Sequence, residues 1–577
     1  MAADIQLREG YILPIREGDV LNWNAAEVCW GNRKGHSKSF DWAELIPGNR
    51  LHMVTEIWHG NEKILEKRLF SGGCFNRFQQ FADLRPFQKR FGSNARFTVK
   101  ASLYGYNEDG FFENGEYRNG ILMAHAEKEF VPWTSPAKLE KRIELKYLPG
   151  LNSEHPMQGN YYPRFGDVDN DGRYEIFFSQ GTTGQMMYDM DGKLLWEWRC
   201  EDGAYEEMRQ DSDCAIYDID NDGFAEVICV RKLDGKIRIC IVDGRTGILK
   251  KSAVWPKYLD RLEGGHRSSL RIANLRGMER PSDIIASEDY VHMTAFDDQL
   301  NELWDFDPET QVKYPASWFA NLHGYPYKLG LGHAPQFCDI NHDGKEEILW
   351  GATLLDSTGK ILWSRNDLRM VGNREDEHID CPRFVDINDD GNLKIYFSSG
   401  GYLLDLEGNV LMSLEERGYK IMHGQRAAIV KVDPDSKEKQ LLQMDFHHSE
   451  FGCCLMIFDL QGKMLNHFPI YRCFMVGNWD DTAVKRIFLA DKKNNQTRII
   501  DGKGNTLCTI PAKMYLWESV VADVCGDSRD KFVTPVVTED GRAYLDIYSC
   551  SSQCGDPAED QHLFRKNSTK FWNWTAF

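Results

Sequence analysis

The sequence predicts an all-β protein, an eight-bladed β-propeller preceded by a β-sandwich domain, with seven blades as the alternative count. Three observations lead to this prediction. An acidic loop recurs along the chain, a turn-forming segment follows its copies, and almost no helical periodicity lies between them. Short strands separated by turn signals at an even period are typical of sheets arranged radially around an axis.

The N-terminal part of the chain lacks this repeat. Apolar and polar residues alternate in segments such as RLHMVTEIWHG and RFTVKASLYGY, as expected of strands with one buried face. We therefore predict a β-sandwich-like domain over residues 1–135, a connector over 136–154 that could supply a strand to close the ring, and the propeller over 155–577.

The acidic loop has the pattern Asp-x-Asp/Asn-x-Asp-Gly and begins at Asp167, Asp218, Asp339 and Asp386. Weaker copies begin at Asn274, Asp433, Asn478 and Asp523, so successive copies lie 45 to 65 residues apart. A period of this length suits one four-stranded blade. The second repeated segment has apolar residues on both sides of Asp-x-x-Gly, as in YDMDGKLLWEW and LDSTGKILWS. It predicts a tight hairpin in each period.

The composition of the acidic loop predicts a cation site. Oxygen-bearing side chains at positions 1, 3 and 5, glycine at position 6 and, in three copies, glutamate at position 9 suit a hard cation such as Ca²⁺. In the fourth copy Lys394 replaces the glutamate. The alternative is that these side chains only accept hydrogen bonds from the amides of their own turn. The predicted structural metal ligands are Asp167, Asp169, Asp171, Glu175, Asp218, Asp220, Asp222, Glu226, Asp339, Asn341, Asp343 and Glu347.

Five of the eight predicted blades carry a histidine shortly before the acidic loop: His155, His266, His333, His378 and His423. Equivalent positions in successive blades converge on one mouth of the central channel. Histidines together with basic residues, inside an acidic protein, predict a pocket for an anionic ligand with a group that titrates near neutrality. The alternatives are a hydrogen-bonded loop role for each histidine and a histidine-only metal site. Other residues expected in the pocket are Tyr161, Arg164, Arg267, Lys328, Arg383 and Arg426.

Charge and hydropathy exclude several partners. Acidic residues number 88 and basic residues 69, a net charge of −19, so no nucleic-acid partner is expected. No stretch approaches the roughly 18 apolar residues of a membrane helix, so no membrane partner is expected either. The first residues show no signal peptide and the 15 cysteines show no CxxC spacing, which favours a cytoplasmic protein with reduced core cysteines, although a shortened secreted chain would look the same. The oligomeric state stays unknown.

Four segments carry a resemblance to a known family: LRIANLRGMERPSDIIAS, GLGHAPQFCDINHDGKEEILWGATLLDSTGKILW, VGNWDDTAVKRIFLAD and ADVCGDSRDKFVTPVVTEDGRAYLDIYS. In this order they resemble successive blades of the rhamnogalacturonan lyases of polysaccharide lyase family 11. The resemblance covers about residues 160–550 and implies an eight-bladed propeller that contains calcium. It does not extend to the first 135 residues, and it does not identify the family's catalytic residues in this chain.

The resemblance implies a polysaccharide lyase that cleaves an acidic, uronate-containing glycan related to rhamnogalacturonan by β-elimination. A cation or arginine neutralises the uronate carboxylate, a base removes the C5 proton, and an acid protonates the departing oxygen. From their shared position in the repeat, we expect His333 or His378 to be the base, Arg267 or Arg383 to pair with the carboxylate, and another histidine such as His266, or a tyrosine, to be the acid. The expected substrate-binding residues are His155, Tyr161, Arg164, Lys328, His423 and Arg426.

Two other classes of function stay open from the sequence. One is a propeller glycoside hydrolase that acts on rhamnose and uronate oligosaccharides. The other is a non-catalytic glycan-binding propeller, because the same fold supports catalytic and binding functions alike.

Overall fold

The chain folds into β-strands almost throughout the part that the computed structural model describes. No helix among these residues is long and apolar enough to cross a lipid bilayer. The described residues are 5–7, 13–17, 20–30, 51–71, 77–83, 87, 90–91, 95–105, 111–113, 116–118, 121–130, 137–145, 163–180, 184–200, 214–256, 268–288, 292–307, 335–369, 379, 382–388, 390–419, 421, 424–445, 453–470, 474–480, 484–491, 495–515, 519–525, 529–538, 540 and 542–550.

The N-terminal region contains two antiparallel sheets and a hairpin. Its strands are β1 (Ile5–Leu7), β2 (Leu13–Glu17), β3 (Val20–Trp30), β4 (Leu51–His59), β5 (Glu62–Ser71), β6 (Arg77–Asp83), β7 (Phe97–Gly105), β8 (Phe111–Glu113), β9 (Glu116–Arg118) and β10 (Ile121–Phe130). In the first sheet β3 pairs with β1, β2 and β6, and the second has the order β10-β7-β4-β5. Strand β1 also contacts β10, which joins the two sheets. The predicted β structure of residues 1–135 is therefore confirmed, whereas sandwich packing stays a prediction.

The rest of the described chain forms eight four-stranded antiparallel sheets, here called sheets 1 to 8. Sheets 1 to 4 are β12 (Pro163–Gly166), β13 (Glu175–Gln180), β14 (Gly184–Asp189), β15 (Leu194–Arg199); β16 (Ala215–Tyr217), β17 (Glu226–Leu233), β18 (Lys236–Asp243), β19 (Leu249–Val254); β20 (Ser268–Ala273), β21 (Asp283–Glu288), β22 (His292–Phe296), β23 (Glu302–Phe306); and β24 (Gln336–Cys338), β25 (Glu347–Trp350), β26 (Thr353–Leu355), β27 (Ile361–Ser364). A 3₁₀ helix, Asn366–Arg369, follows β27.

Sheets 5 to 7 continue the same pattern, and sheet 8 differs in the origin of one strand. They are β28 (Pro382–Asp386), β29 (Leu393–Phe397), β30 (Tyr402–Leu404), β31 (Val410–Ser413); β32 (Arg426–Val430), β33 (Gln440–Asp445), β34 (Cys454–Phe458), β35 (Met464–Pro469); and β36 (Phe474–Gly477), β37 (Arg486–Asp491), β38 (Gln496–Ile500), β39 (Thr506–Ile510). Sheet 8 contains β40 (Val520–Ala522), β41 (Lys531–Val537), β42 (Ala543–Cys550) and, beside β42, β11 (Ala137–Leu145). The segment that precedes sheet 1 thus supplies the fourth strand of the last sheet.

The two repeated sequence segments occupy fixed places in these sheets. The acidic loop of sheet 1 begins directly after β12 and ends where β13 begins, and the other seven copies likewise stand at or just after the end of a first strand. The Asp-x-x-Gly turns connect third to fourth strands. In the turn between β14 and β15, Asp189 Oδ1 accepts hydrogen bonds from the amides of Asp191 and Lys193, both at 2.9 Å. Both repeats are therefore confirmed as the connections within sheets.

Among the described residues, eight clusters of buried apolar side chains lie between neighbouring sheets. Each pair of neighbours has one, and so does the pair of sheet 8 with sheet 1. Adjacent residues of one strand enter different clusters because side chains alternate across a strand. Phe177 packs with Val227 of sheet 2, whereas Phe178 packs with Ile547 of sheet 8. Cys229 belongs to the first of these clusters, in agreement with the predicted core cysteines. The sheets therefore form a closed series.

A tryptophan on the fourth strand fastens several sheets to the next one. Trp196 Nε1 donates a hydrogen bond to Gly244 O at 2.7 Å, in the hairpin turn of sheet 2. The same contact recurs from Trp304 to Ser357 O and from Trp363 to Leu406 O. A Cβ atom added at Gly247 would lie 2.7 Å from the Trp196 ring. The turn therefore needs glycine where the indole packs against it.

Candidate functional site

The four full acidic loops share one pattern of hydrogen bonds. In sheet 1, Asp167 Oδ1 accepts from Asp171 N at 3.2 Å and Asp167 Oδ2 accepts from Gly172 N at 2.9 Å. The equivalent aspartates of the other three loops make the same two contacts. The side chains thus satisfy turn amides, as the alternative interpretation expects. Since each carboxylate oxygen carries two lone pairs, these contacts leave capacity for a cation.

The glutamate at position 9 has a structural role as well. Glu175 Oε2 accepts a hydrogen bond from Val168 N at 2.8 Å, and Glu226 and Glu347 accept the equivalent bonds at 3.0 Å. In the weaker copies Asp283 and Gln440 take the same place and accept from Leu275 N and Val432 N. This acceptor therefore fixes the loop to its strand whether or not it is charged.

Among the described residues, two groups bring three carboxylates close enough to share one ion. Asp167, Asp169 and Glu175 form one group, and Asp218, Asp220 and Glu226 form the other, each with ligand oxygens within 4.8 Å of one another. All are oxygen ligands, as a hard cation prefers. These two loops are the stronger candidates of the four that the sequence predicts.

The sheet 1 loop concentrates negative charge around a buried glutamate. Glu175 is only 5 % exposed, and burial, together with the nearby Asp169, Asp167 and Asp171, raises its pKa to about 7. Its neighbour Arg173 pairs with Asp191 at 3.1 Å rather than with a carboxylate of the group. A cation bound here would relieve both the desolvation and the repulsion, so the residues fit calcium.

The sheet 2 loop has a cation of its own. Lys250 Nζ lies 2.6 Å from Glu226 Oε1, 3.0 Å from Asp220 Oδ2 and 3.3 Å from Asp222 Oδ2. The lysine comes from β19, outside the repeated motif, and the motif gave no sign of it. Lys250 therefore competes with calcium for the carboxylates of this loop, and the acidic pattern alone does not reveal it.

The remaining two loops fit a cation less well. In sheet 4, Asn341 Nδ2 donates to Glu347 Oε1 at 2.9 Å, so the amide turns a donor toward the glutamate. In sheet 5 the glutamate is missing and Lys439 Nζ donates to Asp386 O at 2.8 Å. The structure thus ranks the sheet 1 loop first among the predicted calcium sites.

Three of the predicted substrate or catalytic arginines lie on first strands. Arg164 and Arg426 are 2 % and 8 % exposed, and Arg383 is half-buried. Arg383 Nε donates to Ala427 O at 3.2 Å and Arg426 Nη1 donates to Phe474 O at 3.1 Å, in each case to the first strand of the next sheet. Arg383 and Arg426 thus connect neighbouring first strands. Their roles toward a substrate stay predictions.

The other predicted pocket residues lie outside the described residues, so their geometry adds nothing to the sequence argument. They are His155, Tyr161, His266, Arg267, Lys328, His333, His378 and His423.

Comparison with known proteins shows what this chain is similar to in sequence and in fold. No family model matches the chain. The rhamnogalacturonan exolyase YesX of Bacillus subtilis (strain 168) is 25 % identical over 255 residues, which cover 34 % of this chain and 39 % of that protein. The match spans about two fifths of the length of this curated relative.

Two solved structures extend the similarity over nearly the whole chain. The exotype rhamnogalacturonan lyase YesX covers 99 % of this chain and 95 % of its own, with a TM-score of 0.54 and 17 % identity. The rhamnogalacturonan lyase PL11 of Bacillus licheniformis covers 96 % of this chain and 92 % of its own, with a TM-score of 0.52 and 16 % identity. The N-terminal sheets, which showed no resemblance in sequence, are thus included in the structural match.

The fold and the relatives define a class: all-β proteins built of many small antiparallel sheets, similar in structure to polysaccharide lyases. Within that class, the comparisons support a family relationship, at low identity, between this chain and the rhamnogalacturonan lyases.

Proposed function

We propose that this protein is a polysaccharide lyase that cleaves a uronate-containing, rhamnogalacturonan-like glycan by β-elimination, and that its eight sheets are the blades of a β-propeller. The observation that carries the proposal is the relationship to rhamnogalacturonan lyases, in sequence over 255 residues and in fold over nearly the whole chain. The closed series of sheets supports the blade count.

The proposed reaction needs three groups at one mouth of the ring. Arg267 or Arg383 pairs with the uronate carboxylate, which makes the C5 proton more acidic. His333 or His378 removes that proton, the C5–H electrons form the C4–C5 double bond, and the C4–O bond breaks. Another histidine such as His266, or a tyrosine, gives a proton to the departing oxygen. The product carries an unsaturated uronate at its new end.

Calcium is proposed as a structural ion of the sheet 1 loop. Asp167, Asp169 and Glu175 would hold it, because their oxygens lie within 4.8 Å of one another. The bound ion would neutralise the buried carboxylates and hold the loop between β12 and β13. No step of the elimination is assigned to it.

The test is an assay of the purified protein on rhamnogalacturonan and a panel of other uronate-containing glycans. Elimination is followed by the ultraviolet absorbance of the unsaturated uronate, and total cleavage by new reducing ends. We expect both signals to rise together. Reducing ends without the absorbance would indicate a glycoside hydrolase instead, and neither signal, with retained glycan binding, would indicate a binding protein.

The proposed roles of the histidines are tested in the same assay. We expect the combined variant His333→Ala with His378→Ala to lose activity on the best substrate, while His125→Ala, an exposed histidine of β10, retains it. Full activity of the double variant would refute the assignment of the base. Unchanged melting temperatures would show that a loss reflects chemistry.

A further inference from the structure

The acidic loop of sheet 2 carries a positive charge at the place where a metal ion would bind. Lys250 Nζ lies within 3.3 Å of oxygens from Asp220, Asp222 and Glu226. Asp220 and Glu226 belong to the group whose ligand oxygens gather within 4.8 Å. The ammonium group therefore lies among the same oxygens that a divalent ion would use.

An ammonium and a divalent cation cannot share these oxygens. Calcium binds oxygen ligands at about 2.3–2.6 Å, so an ion among them would touch Lys250 Nζ, and two like charges at that separation repel strongly. The Glu226 carboxylate is fully buried while Lys250 is one quarter exposed. A buried carboxylate needs a partner, and Lys250 provides it without any metal.

The sheet 1 loop provides the matched contrast. Its sequence has the same ligands at positions 1, 3, 5 and 9. In the described part of the chain, no lysine or arginine forms a salt bridge with Asp167, Asp169 or Glu175. Two loops with the same motif thus differ in the cations that contact them. Lys250 of β19 lies among the sheet 2 carboxylates, and Arg280 Nη2 lies 3.5 Å from Asp218 Oδ1 of the same loop.

In another copy of the loop, a cationic side chain also neutralises the carboxylate. In sheet 3, Asp283 takes the place of the position 9 glutamate, and Arg276 Nε donates to Asp283 Oδ1 at 2.6 Å. The Arg276 guanidinium also pairs with Asp298 at 2.8 Å. Use of an internal cation is therefore a recurring solution in this chain.

We infer that Lys250 is the permanent cation of the sheet 2 loop, and that this loop binds no calcium although its sequence matches the calcium pattern completely. The inference concerns one loop and uses the proposed calcium of sheet 1 only for comparison. The acidic loops then fall into two kinds: those whose carboxylates are neutralised by a lysine or arginine side chain, and those that can bind a metal ion.

The test counts calcium ions per chain by mass spectrometry of the protein after dialysis against a calcium buffer. Three variants are compared with the wild type: Asp220→Asn, Lys250→Met and, as a control, Lys236→Met, an exposed lysine of the same sheet. We expect Asp220→Asn and Lys236→Met to match the wild type. We expect Lys250→Met to gain one ion and its melting temperature to fall further than that of the wild type when a chelator is added.

Loss of one ion in Asp220→Asn would overturn the inference, and so would Lys250→Met with the calcium content of the wild type. The Asp220→Asn measurement keeps the inference falsifiable even if Lys250→Met does not fold. A wild type without calcium would refute the proposed ion in sheet 1. It would leave the Lys250 comparison intact, so the two failures are distinguishable.

Discussion

The Arg142 guanidinium and the Asp546 carboxylate form a two-point ion pair across β11 and β42. Nε and Nη2 donate to Oδ1 and Oδ2, both at 2.7 Å. The Asp546 side chain is completely buried, and Tyr548 Oη donates to it at 3.3 Å. Because β11 is the strand that completes sheet 8, this pair fastens the closure of the series of sheets.

Removal of the arginine is predicted to destabilise the protein strongly. Arg142→Ala leaves a buried carboxylate without its partner, and we expect a loss of about 2–4 kcal/mol in the free energy of unfolding, measured by urea denaturation. The control is Arg542→Ala, which breaks an exposed pair with Asp540 and should leave the free energy of unfolding almost unchanged. Equal losses in the two variants would contradict a closing role for the Arg142 pair.

The calcium of the sheet 1 loop predicts a variant that no longer responds to the metal. Glu175→Gln keeps an acceptor for Val168 N but removes the charge. A bound ion stabilises the wild type by about 2.7 kcal/mol at a roughly hundredfold excess over its dissociation constant. We expect a chelator to lower the melting temperature of the wild type and to leave that of Glu175→Gln almost unchanged. A chelator shift of the same size in both proteins would place the ion elsewhere.

The contact between Trp196 and the next hairpin turn predicts different costs at two glycines of sheet 2. Gly247 has φ +74° and lies against the indole, whereas Gly235 has φ +68° and open space around it. Gly235→Ala should cost only the backbone strain, about 1 kcal/mol. Gly247→Ala should cost an additional 1–3 kcal/mol or so, because the new methyl group displaces the ring. Equal free energies of unfolding for Gly235→Ala and Gly247→Ala would show that the contact with the indole does not restrict position 247 to glycine.

The carboxyl group of Asp530 predicts a pH dependence at the interface of sheets 7 and 8. Its Oδ2 accepts from Asn478 N at 2.7 Å, and burial raises its pKa above the ordinary value of 3.8. The unfolded chain ionises this carboxyl group at a lower pH than the folded protein does. The folded state therefore loses stability as the pH rises from the ordinary pKa toward the raised pKa of the folded state. We expect Asp530→Asn to match the wild type in acid and to become relatively more stable toward neutral pH. A constant difference at every pH would contradict this.

The repeat made most of the fold predictable. The spacing of the acidic loops and Asp-x-x-Gly turns gave the number of sheets and the place of each connection, because turn chemistry is local. The resemblance was likewise found from sequence, and the comparisons confirm the relationship with rhamnogalacturonan lyases. The N-terminal region was expected to be a β-sandwich, and its packing stays a prediction, since alternation of apolar residues does not show how two sheets pack.

The candidate site was less predictable, because its decisive partners come from other strands. Lys250 lies 24 residues after Glu226, and nothing in the loop motif indicates which later lysine folds back onto it. The backbone role of Glu175 was also missed. Gln440 and Asp283, which accept the equivalent hydrogen bonds, stand one position earlier and one position later in their copies, so a strict count along the motif does not align them with Glu175. The burial of Arg164 could not be predicted, because β12 has only four residues and their apolar and polar side chains show no clear alternation.

The pairing of β11 with β42 sets the order of events when the protein is made. Arg142 and Asp546 are 404 residues apart, so at a synthesis rate of about 5–20 residues per second roughly 20–80 s pass between their emergence from the ribosome. Throughout that interval the edge of β11 has no strand to pair with. A nascent chain of this protein therefore offers an unprotected edge to its neighbours until the last sheet is complete.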